Sequence, residues 1–286
     1  MPLGQEQIER HPHVLPILRE RARQLLALHV DNPRSAGIFA THQRWLLAHI
    51  TMMAQFENAR DTGRPGTHAA KVAMLAEEAG VSSRNTAEAF LREIVAYGFA
   101  ASAPDAHDLR IRWLVLAPRA LEDVSAWAYG NLATLDAFDQ GGRANAFKAA
   151  PQTLGVLQPV AARAFLAMPD IRRPGPTFAL FDGVDEGGGV MDRLISTCED
   201  AADPAGRRAT GVAAMAGFGD HLRLSRSHLA RKLREAEGQG ALGWTADRGR
   251  SPIWISDAFV AQYIKRIAAE LAAIESGYQA AFPATL

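Results

Sequence analysis

The feature that most constrains the fold is a short frame of residues that occurs twice. The two copies, SRNTAEAFLRE (Ser83–Glu93) and SRSHLARKLRE (Ser225–Glu235), share their first two and last three residues and lie 142 positions apart. Other matches follow in the same order at offsets of 140 or 142: ARQLLAL (Ala22–Leu28) with ARAFLAM (Ala162–Met168), VAMLA (Val72–Ala76) with VAAMA (Val212–Ala216), and Gly98 with Gly240. Matches in the same order and at nearly constant spacing predict two copies of one domain.

The paired glycines of Asp139–Gly142 break a helical pattern and mark the predicted junction. The two domains are therefore predicted over residues 1–140 and 141–286. In the first domain, apolar spacing predicts helices over 13–30, 39–57 and 71–79. A turn at Gly80–Ser82 follows, and then a helix Arg84–Tyr97 with Ser83 as its N-cap. Strands over Phe99–Ala103 and Leu109–Leu116 and a closing helix Arg119–Phe138 complete it.

The second domain repeats this order. Its predicted elements are a short helix Thr210–Phe218, a second helix Arg226–Glu237, a hairpin of Ala241–Thr245 with Pro252–Ile255, and a closing helix Asp257–Ala280. Helix, turn, helix and hairpin is the order of a winged helix-turn-helix, so the fold class is mainly α with small β-wings. The closing helices carry apolar seams, which pack either within their own domain or against each other, so that one chain forms a pseudo-dimer.

This order of elements resembles that of winged-helix transcription regulators, most of all the MarR family. GVSSRNTAEAFLREIVAYGFA (Gly80–Ala100) is similar to their helix-turn-helix, and LSRSHLARKLREAEGQG (Leu224–Gly240) also resembles recognition helices of the AraC family. The resemblance implies binding of double-stranded DNA, a dimer interface made by flanking helices, and a crevice for a small-molecule effector that Trp45, Trp127 or Phe165 could line. MarR proteins usually carry one such domain per chain, so a tandem pair departs from the pattern.

If the apolar stripe of each second helix is buried, the opposite face is available to the major groove. Arginine there can pair with guanine and asparagine with adenine, while residues near the helix start suit phosphate contacts. The wing tips are further phosphate or minor-groove candidates. The predicted DNA-binding residues are Ser83, Arg84, Asn85, Thr86, Arg92, Arg110, Arg112, Arg223, Ser225, Arg226, Ser227, His228, Arg231, Lys232, Arg234, Arg248 and Arg250.

The two predicted recognition helices differ in charge. No acidic residue occurs from His221 to Arg234, whereas the first copy mixes Arg84 and Arg92 with Glu88 and Glu93. Since phosphate neutralisation dominates affinity for DNA, the second copy is expected to bind more strongly. A charged helix face that is simply solvated remains the alternative, above all for the first copy.

Motifs of enzymes are missing from the sequence: there is no HExxH, no paired CxxC and no Walker-type loop. The chain is therefore expected not to be an enzyme and to need no metal or cofactor. The single cysteine, Cys198, is expected to be a buried thiol, and no signal peptide or membrane span is visible, which favours the cytoplasm. Net charge is zero. Besides a transcription regulator, the open alternatives are a replication initiator or chromosome-associated adaptor, and a protein-interaction module that has lost DNA binding.

Overall fold

The computed structural model describes residues 2–31, 41–105, 112–182, 187–213, 218 and 226–283. The helices are α1 Gln5–Glu9, α2 Val14–Asp31, α3 His42–Thr62, α4 Ala69–Glu78, α5 Arg84–Ala96, α6 Pro118–Asp139, α7 Arg143–Ala149, α8 Leu154–Ala167, α9 Pro169–Arg172, α10 Pro176–Asp182, α11 Gly187–Ser196, α12 Arg226–Gly238 and α13 Asp257–Ala281. The strands are β1 Thr67–His68, β2 Ala100–Pro104, β3 Arg112–Leu116, β4 Arg207–Ala213, β5 Leu242–Trp244 and β6 Pro252–Ser256. The chain is thus mainly helical with two small antiparallel sheets.

Each sheet has three strands, and the strand order is the same in both. The first is ordered β1-β3-β2 and the second β4-β6-β5, so in each the last strand of the hairpin lies in the middle. We refer to residues 67–116 as the first unit and residues 207–256 as the second unit. In each unit a strand comes first, a helix (α5 or α12) precedes the hairpin, and a long helix follows it.

The helix ends before the two hairpins have the same geometry. Gly98 and Gly240 both adopt the left-handed conformation, with φ of 76° and 69°. The amide of Phe99 donates to the carbonyl of Ile94 at 2.8 Å, and the amide of Ala241 donates to that of Ala236 at 3.0 Å. This is the glycine-terminated helix cap that the two glycines predict. The two helices therefore end in the same way at glycines that lie 142 positions apart.

The helix predicted over Thr210–Phe218 is wrong at its described residues Thr210–Ala213. The segment predicted as a helix from Thr210 begins inside strand β4, which pairs with β6. Burial alternates along it, with Thr210 and Val212 inside, and the Thr210 hydroxyl donates to the Ile253 carbonyl at 2.7 Å. The prediction relied on the match of VAMLA with VAAMA, yet Val72 lies in helix α4 and Val212 in a strand. A β-branched pair flanking a glycine pairs readily with a strand that is already in place.

The two units differ in how their apolar cores are connected. The first unit, with one face of α3, encloses a separate core that includes Leu47, Ile50, Phe90, Leu91 and Leu114. The buried side chains of the second unit instead belong to the large central core, which also contains residues of α2, α6, α8, α11 and α13. The second unit is therefore continuous with the body of the molecule, whereas the first unit is built on its own core.

In the helical body, helices from the N-terminal part of the chain pack against helices from the C-terminal part. Helix α11 packs against α2, and α3 packs against α8, so each early helix contacts a later one. Helix α13 lies along α8 and also contacts α6, so the closing helices do meet, although α13 also packs within its own half. At Gly277 of α13 an added Cβ would lie 2.4 Å from the Leu157 carbonyl oxygen, so only glycine permits this close approach.

A buried arginine fastens the predicted junction. Gln140 and Gly142 take left-handed conformations that end α6 after Asp139, as the glycine pair predicts. The Arg143 guanidinium then binds Asp139 at 2.6 Å and Glu275 of α13 at 2.6 Å. These carboxylates raise the pKa of Arg143 despite its burial. The junction is thus held against the last helix.

The lone thiol is buried. Cys198 is 2% exposed, and burial raises the pKa of its thiol. Within the described ranges, no helix is both long enough and apolar enough to cross a lipid bilayer.

Candidate nucleic-acid interface

Helix α5 is positioned by its cap and its apolar stripe. The Ser83 hydroxyl accepts from the Thr86 amide at 3.3 Å, which confirms the predicted N-cap. Ala87, Phe90, Leu91 and Ile94 are buried, as their spacing predicts. The opposite face consequently points outward, and on it Ser83, Arg84, Asn85, Thr86 and Arg92 are all exposed.

Acidic side chains on α5 are largely engaged in ion pairs. Glu88 lies 4.0 Å from Arg92 one turn away, and Glu93 pairs with Arg44 of α3. Among the described residues Arg84 makes no ion pair, and it is exposed at the first turn of the helix. On the described part of α5, Arg84 thus offers a guanidinium without an ion pair beside the amide of Asn85, and both groups are suited to hydrogen bonding with a base edge or a phosphate.

Helix α12 buries Leu229 and Leu233, which sets the register that the sequence predicts. Ser227, Arg231 and Arg234 are exposed and His228 is half-buried. The side chain of Lys232 is only 17% exposed, because this register places it beside the buried stripe. Arg231, Arg234 and Ser227 therefore form the outward face, and Lys232 is a weaker candidate than the sequence indicates.

The predicted charge surplus of the second helix is reduced by the next residue along the chain. Glu235 accepts from Arg231 at 2.8 Å and from Lys232 at 2.9 Å. The Lys232 hydrogen bond, with Arg231 nearby, lowers the pKa of Glu235. The stretch without acidic residues noted in the sequence ends at Arg234, one position before this carboxylate. Of the arginines described on α12 with their side chains, Arg234 is the one with no ion pair within the described ranges.

The hairpin of β5 and β6, which the sequence predicts to be the second wing, is attached to the end of α12. Arg248, at the hairpin tip, forms an ion pair with Glu237 and lies 5.8 Å above the Trp244 ring. Gly249 has a φ of 76°, which allows the tight turn there. Arg250 is exposed beside it. Arg248 therefore braces the wing against the helix, and Arg250 is the more available cation.

The first wing is described only at its base. Arg112 is exposed on β3, and its Nε donates to the Ser102 hydroxyl at 2.9 Å across the hairpin. Three predicted residues, Arg110, Arg223 and Ser225, lie outside the described residues, as does the side chain of Arg226.

A cavity of about 340 Å³ lies between the first unit and the helical body. Trp45 and Trp127 line it, as the resemblance implies, while Phe165 is fully buried and contacts Trp45 with ring centroids 4.9 Å apart. Phe90 and Ile94 of α5 form part of the opposite wall. The buried stripe of α5 thus borders this space.

A buried ionic network lines the floor of the cavity. Glu270 of α13 accepts from Arg21 at 2.7 Å and from Arg266 at 3.2 Å, and Arg21 also donates to Asn131 at 3.0 Å. Nearby, the Tyr263 hydroxyl donates to Asp192 at 2.6 Å. Pairing of this kind offsets the cost of burying charge.

Burial shifts the pKa values of three groups at the cavity. Burial raises the pKa of Asp192 to about 6, against the opposing effect of Arg21. Burial, reinforced by Arg266, lowers the pKa of His42 to about 4 and that of His49 to about 3. Both imidazoles are therefore neutral near pH 7.

Sequence reasoning did not find this network. Arg21, Glu270 and Arg266 fall in helices predicted from apolar spacing, whereas Asp192 lies in a segment for which the sequence predicted no helix. One signal was available: Glu270 stands on the inward stripe between Ile267, Leu271 and Ile274, where an unpaired carboxylate would be costly. Arg266 pairs with Glu270 from one turn away on the same helix, whereas the other cation, Arg21, comes from α2, nearly 250 residues earlier in the chain.

Comparison with family models, curated proteins and solved structures finds no match to this chain.

Proposed function

We propose that this protein is a sequence-specific double-stranded DNA-binding transcription regulator with two winged-helix units in one chain. The observation that carries the proposal is the repeated local geometry: helix, left-handed glycine and hairpin at an offset of 142, with sheets of equal strand order. In both units the helix before the hairpin turns arginine and small polar side chains outward. Such a face has the dimensions and donors that major-groove recognition requires.

A tandem arrangement has a consequence for the DNA site. The outward residues of α5 are Arg84, Asn85 and Arg92, and those of α12 are Ser227, Arg231 and Arg234. Two different reading faces fit an asymmetric or imperfectly repeated site, bound by one chain as a pseudo-dimer. Sedimentation of the complex should give one protein chain per site, and two chains on a perfect palindrome would contradict this.

The experiment uses a randomised duplex library to select the preferred site, followed by titration of that site. Arg234→Ala should cost ~1–3 kcal/mol of binding free energy and lower the magnitude of the salt slope by about 1. Arg231→Ala should also weaken binding, although its pairing with Glu235 makes the loss smaller. Arg10→Ala is the matched control, because Arg10 is exposed and also pairs with a glutamate one turn away. Equal affinity of the Arg234 variant and the control would refute the proposal.

One observation favours the protein-interaction module instead. Glu235 and Glu237 neutralise three of the cations predicted to meet DNA: Arg231, Lys232 and Arg248. Binding that hardly changes with added salt would support that module, since counterion release is typical of nucleic-acid complexes. A replication initiator or chromosome-associated adaptor would share the salt dependence but would footprint on iterated sites rather than single promoter sites.

A further inference from the structure

The first unit is joined to the helical body along helix α3. Helices α4 and α5 and strands β1 and β3 all pack against α3, and α3 in turn packs against α8. The cavity lies beside α5, with Phe90 and Ile94 on its wall. A unit that is held along one helix and borders a cavity can rotate about that helix, unless a contact away from the helix axis holds it.

The turn between α4 and α5 carries such a contact. An Nη of Arg172, the last residue of α9, donates to the carbonyl of Ala79 at the end of α4. The last carbonyls of a helix have no donor within the helix, and a cation there also interacts favourably with the helix dipole. Two residues further on, the Gln43 side chain of α3 donates to the carbonyl of Val81 at 2.9 Å. Arg172 therefore reaches this turn from outside both the first unit and α3.

The same turn lies where the two apolar cores meet. Val81 is half-buried and packs against the central core as well as against the separate core of the first unit. Gly80, just before it, has a φ of 65°, and a Cβ added there would lie 3.0 Å from an Nη of Arg172. The backbone of the first unit thus approaches α9 closely at this point.

Helix α9 is itself firmly attached to the C-terminal part of the molecule. Asp170 binds Lys265 of α13 at 3.0 Å and accepts from Gln5 of α1 at 3.1 Å. Ile171 is fully buried in the central core, and α9 packs against α8 and α13. The contact made by Arg172 therefore relates the turn of the first unit to the last long helix.

We propose that Arg172 is a positioning residue, whose bond to Ala79 fixes the direction of α5 relative to α12 and thereby the spacing of the two half-sites that the chain accepts on DNA. The direction of the helices stands independently of DNA binding, whereas the half-site spacing rests on the proposed function. Leu229 and Leu233 of α12 pack in the same central core as Ile171, so Arg172 connects α5 to the core that carries α12. One added base pair displaces a half-site by about 3.4 Å and turns it by about 35°, so a small rotation of α5 alters the spacing that fits.

A series of duplexes with altered spacing tests this role. The duplex selected for the parent chain is compared with duplexes in which the two half-sites lie one or two base pairs closer together or further apart. The parent should bind the altered duplexes at least about tenfold more weakly, since half-site spacing is a geometric constraint. Arg172→Ala should bind the selected duplex about twofold to fivefold more weakly, because fewer molecules have α5 in the required direction, and should reduce the penalty for altered spacing to about threefold or less. A parent chain without a spacing preference would overturn the proposal.

Three further variants separate the hydrogen bond from other effects. Arg173→Ala is the matched control, because Arg173 is adjacent and exposed and its side chain forms no ion pair or hydrogen bond within the described ranges. Arg172→Lys keeps a cationic donor, whereas Arg172→Met keeps the apolar stem without the donor. The lysine variant should regain most of the spacing preference and the methionine variant should not. Equal spacing preferences of these two variants would show that the bond to Ala79 is not the cause.

Double electron–electron resonance between two spin labels tests the geometry without DNA. The labels are introduced by Ala89→Cys in α5 and Ser227→Cys in α12, both at exposed positions, in a chain whose buried thiol is removed by Cys198→Ala. Arg172→Ala should broaden the distribution of distances between the labels, and Arg173→Ala should leave its width unchanged. An unchanged width in Arg172→Ala would overturn the proposal.

The two experiments together distinguish the positioning role from the proposed function. If Arg172→Ala broadens the distance distribution while the parent chain binds no duplex, the positioning role holds and the DNA-binding function fails. If the parent binds its selected duplex but Arg172→Ala keeps the full penalty for altered spacing, the DNA-binding function holds and the role of Arg172 in half-site spacing fails.

Discussion

The two units have the same strand order and the same helix cap but are supported differently. Leu91 of α5 packs in a core that belongs to the first unit and α3, whereas Leu233 of α12 packs in the core shared with the helical body. The cavity lies beside the first unit. The same local frame is therefore continuous with the central core in the second unit and bordered by a cavity in the first unit.

Core truncation should produce the largest difference between the units. Leu91→Ala and Leu233→Ala each remove the same atoms from a fully packed site, at a cost of ~2–5 kcal/mol. We expect Leu91→Ala to increase amide exchange mainly in α4, α5 and the first hairpin. Leu233→Ala should instead lower the unfolding temperature of the whole molecule, because its core is continuous with α8 and α13.

Exchange measured by mass spectrometry separates these outcomes. The segments to compare are α5 and α13 in each variant. If Leu91→Ala accelerates exchange in α13 as much as in α5, the two cores unfold together and the comparison is wrong.

Acid should destabilise the protein through the cavity side. His42 and His49 have folded pKa values of about 4 and about 3, below the ordinary 6.5, so the unfolded chain binds more protons and stability falls as pH drops below about 6.5. Asp192 acts in the opposite direction, because its pKa of about 6 lies above the ordinary 3.8 and its protonation favours the fold between about pH 6 and pH 4. We therefore expect Asp192→Asn to lose stability more steeply on acidification.

Urea denaturation at pH 7 and pH 5 measures this difference. Between pH 7 and pH 5, the free energy of unfolding of Asp192→Asn should fall by roughly 1–2 kcal/mol more than that of the parent chain. The free energy of unfolding of His49→Phe should fall by less than that of the parent chain. If all three chains lose the same free energy of unfolding between pH 7 and pH 5, the cavity groups are not the cause of the acid sensitivity.

The smallest expected effect is the change in DNA affinity when the carboxylate that pairs with Arg231 is removed. Glu235→Gln frees Arg231 and Lys232 from their carboxylate, and we expect affinity for the selected duplex to rise about twofold to fivefold. Glu88→Gln in the first unit is the matched change, since Glu88 and Arg92 are 4.0 Å apart and 73% of the Arg92 side chain is already exposed. If Glu88→Gln raises DNA affinity more than Glu235→Gln does, the proposal that α12 binds DNA more strongly than α5 is wrong.

The sequence by itself determined the local elements. Ser83, the stripe through Phe90 and Leu91, and the two glycines at 98 and 240 specify helix start, buried face and helix end within a few turns of chain. These signals depend on neighbouring residues, so they can be read without knowing the partners.

Tertiary structure decided what depends on distant partners. Thr210 joins a strand because β6 is there to pair with it, and Glu270 is acceptable inside because Arg21 reaches it from α2. The cavity arises from the way the core of the first unit meets the helical body, which no single segment encodes. Pairing, burial of charge and empty space are properties of surfaces brought together, and their energies appear only when both surfaces are present.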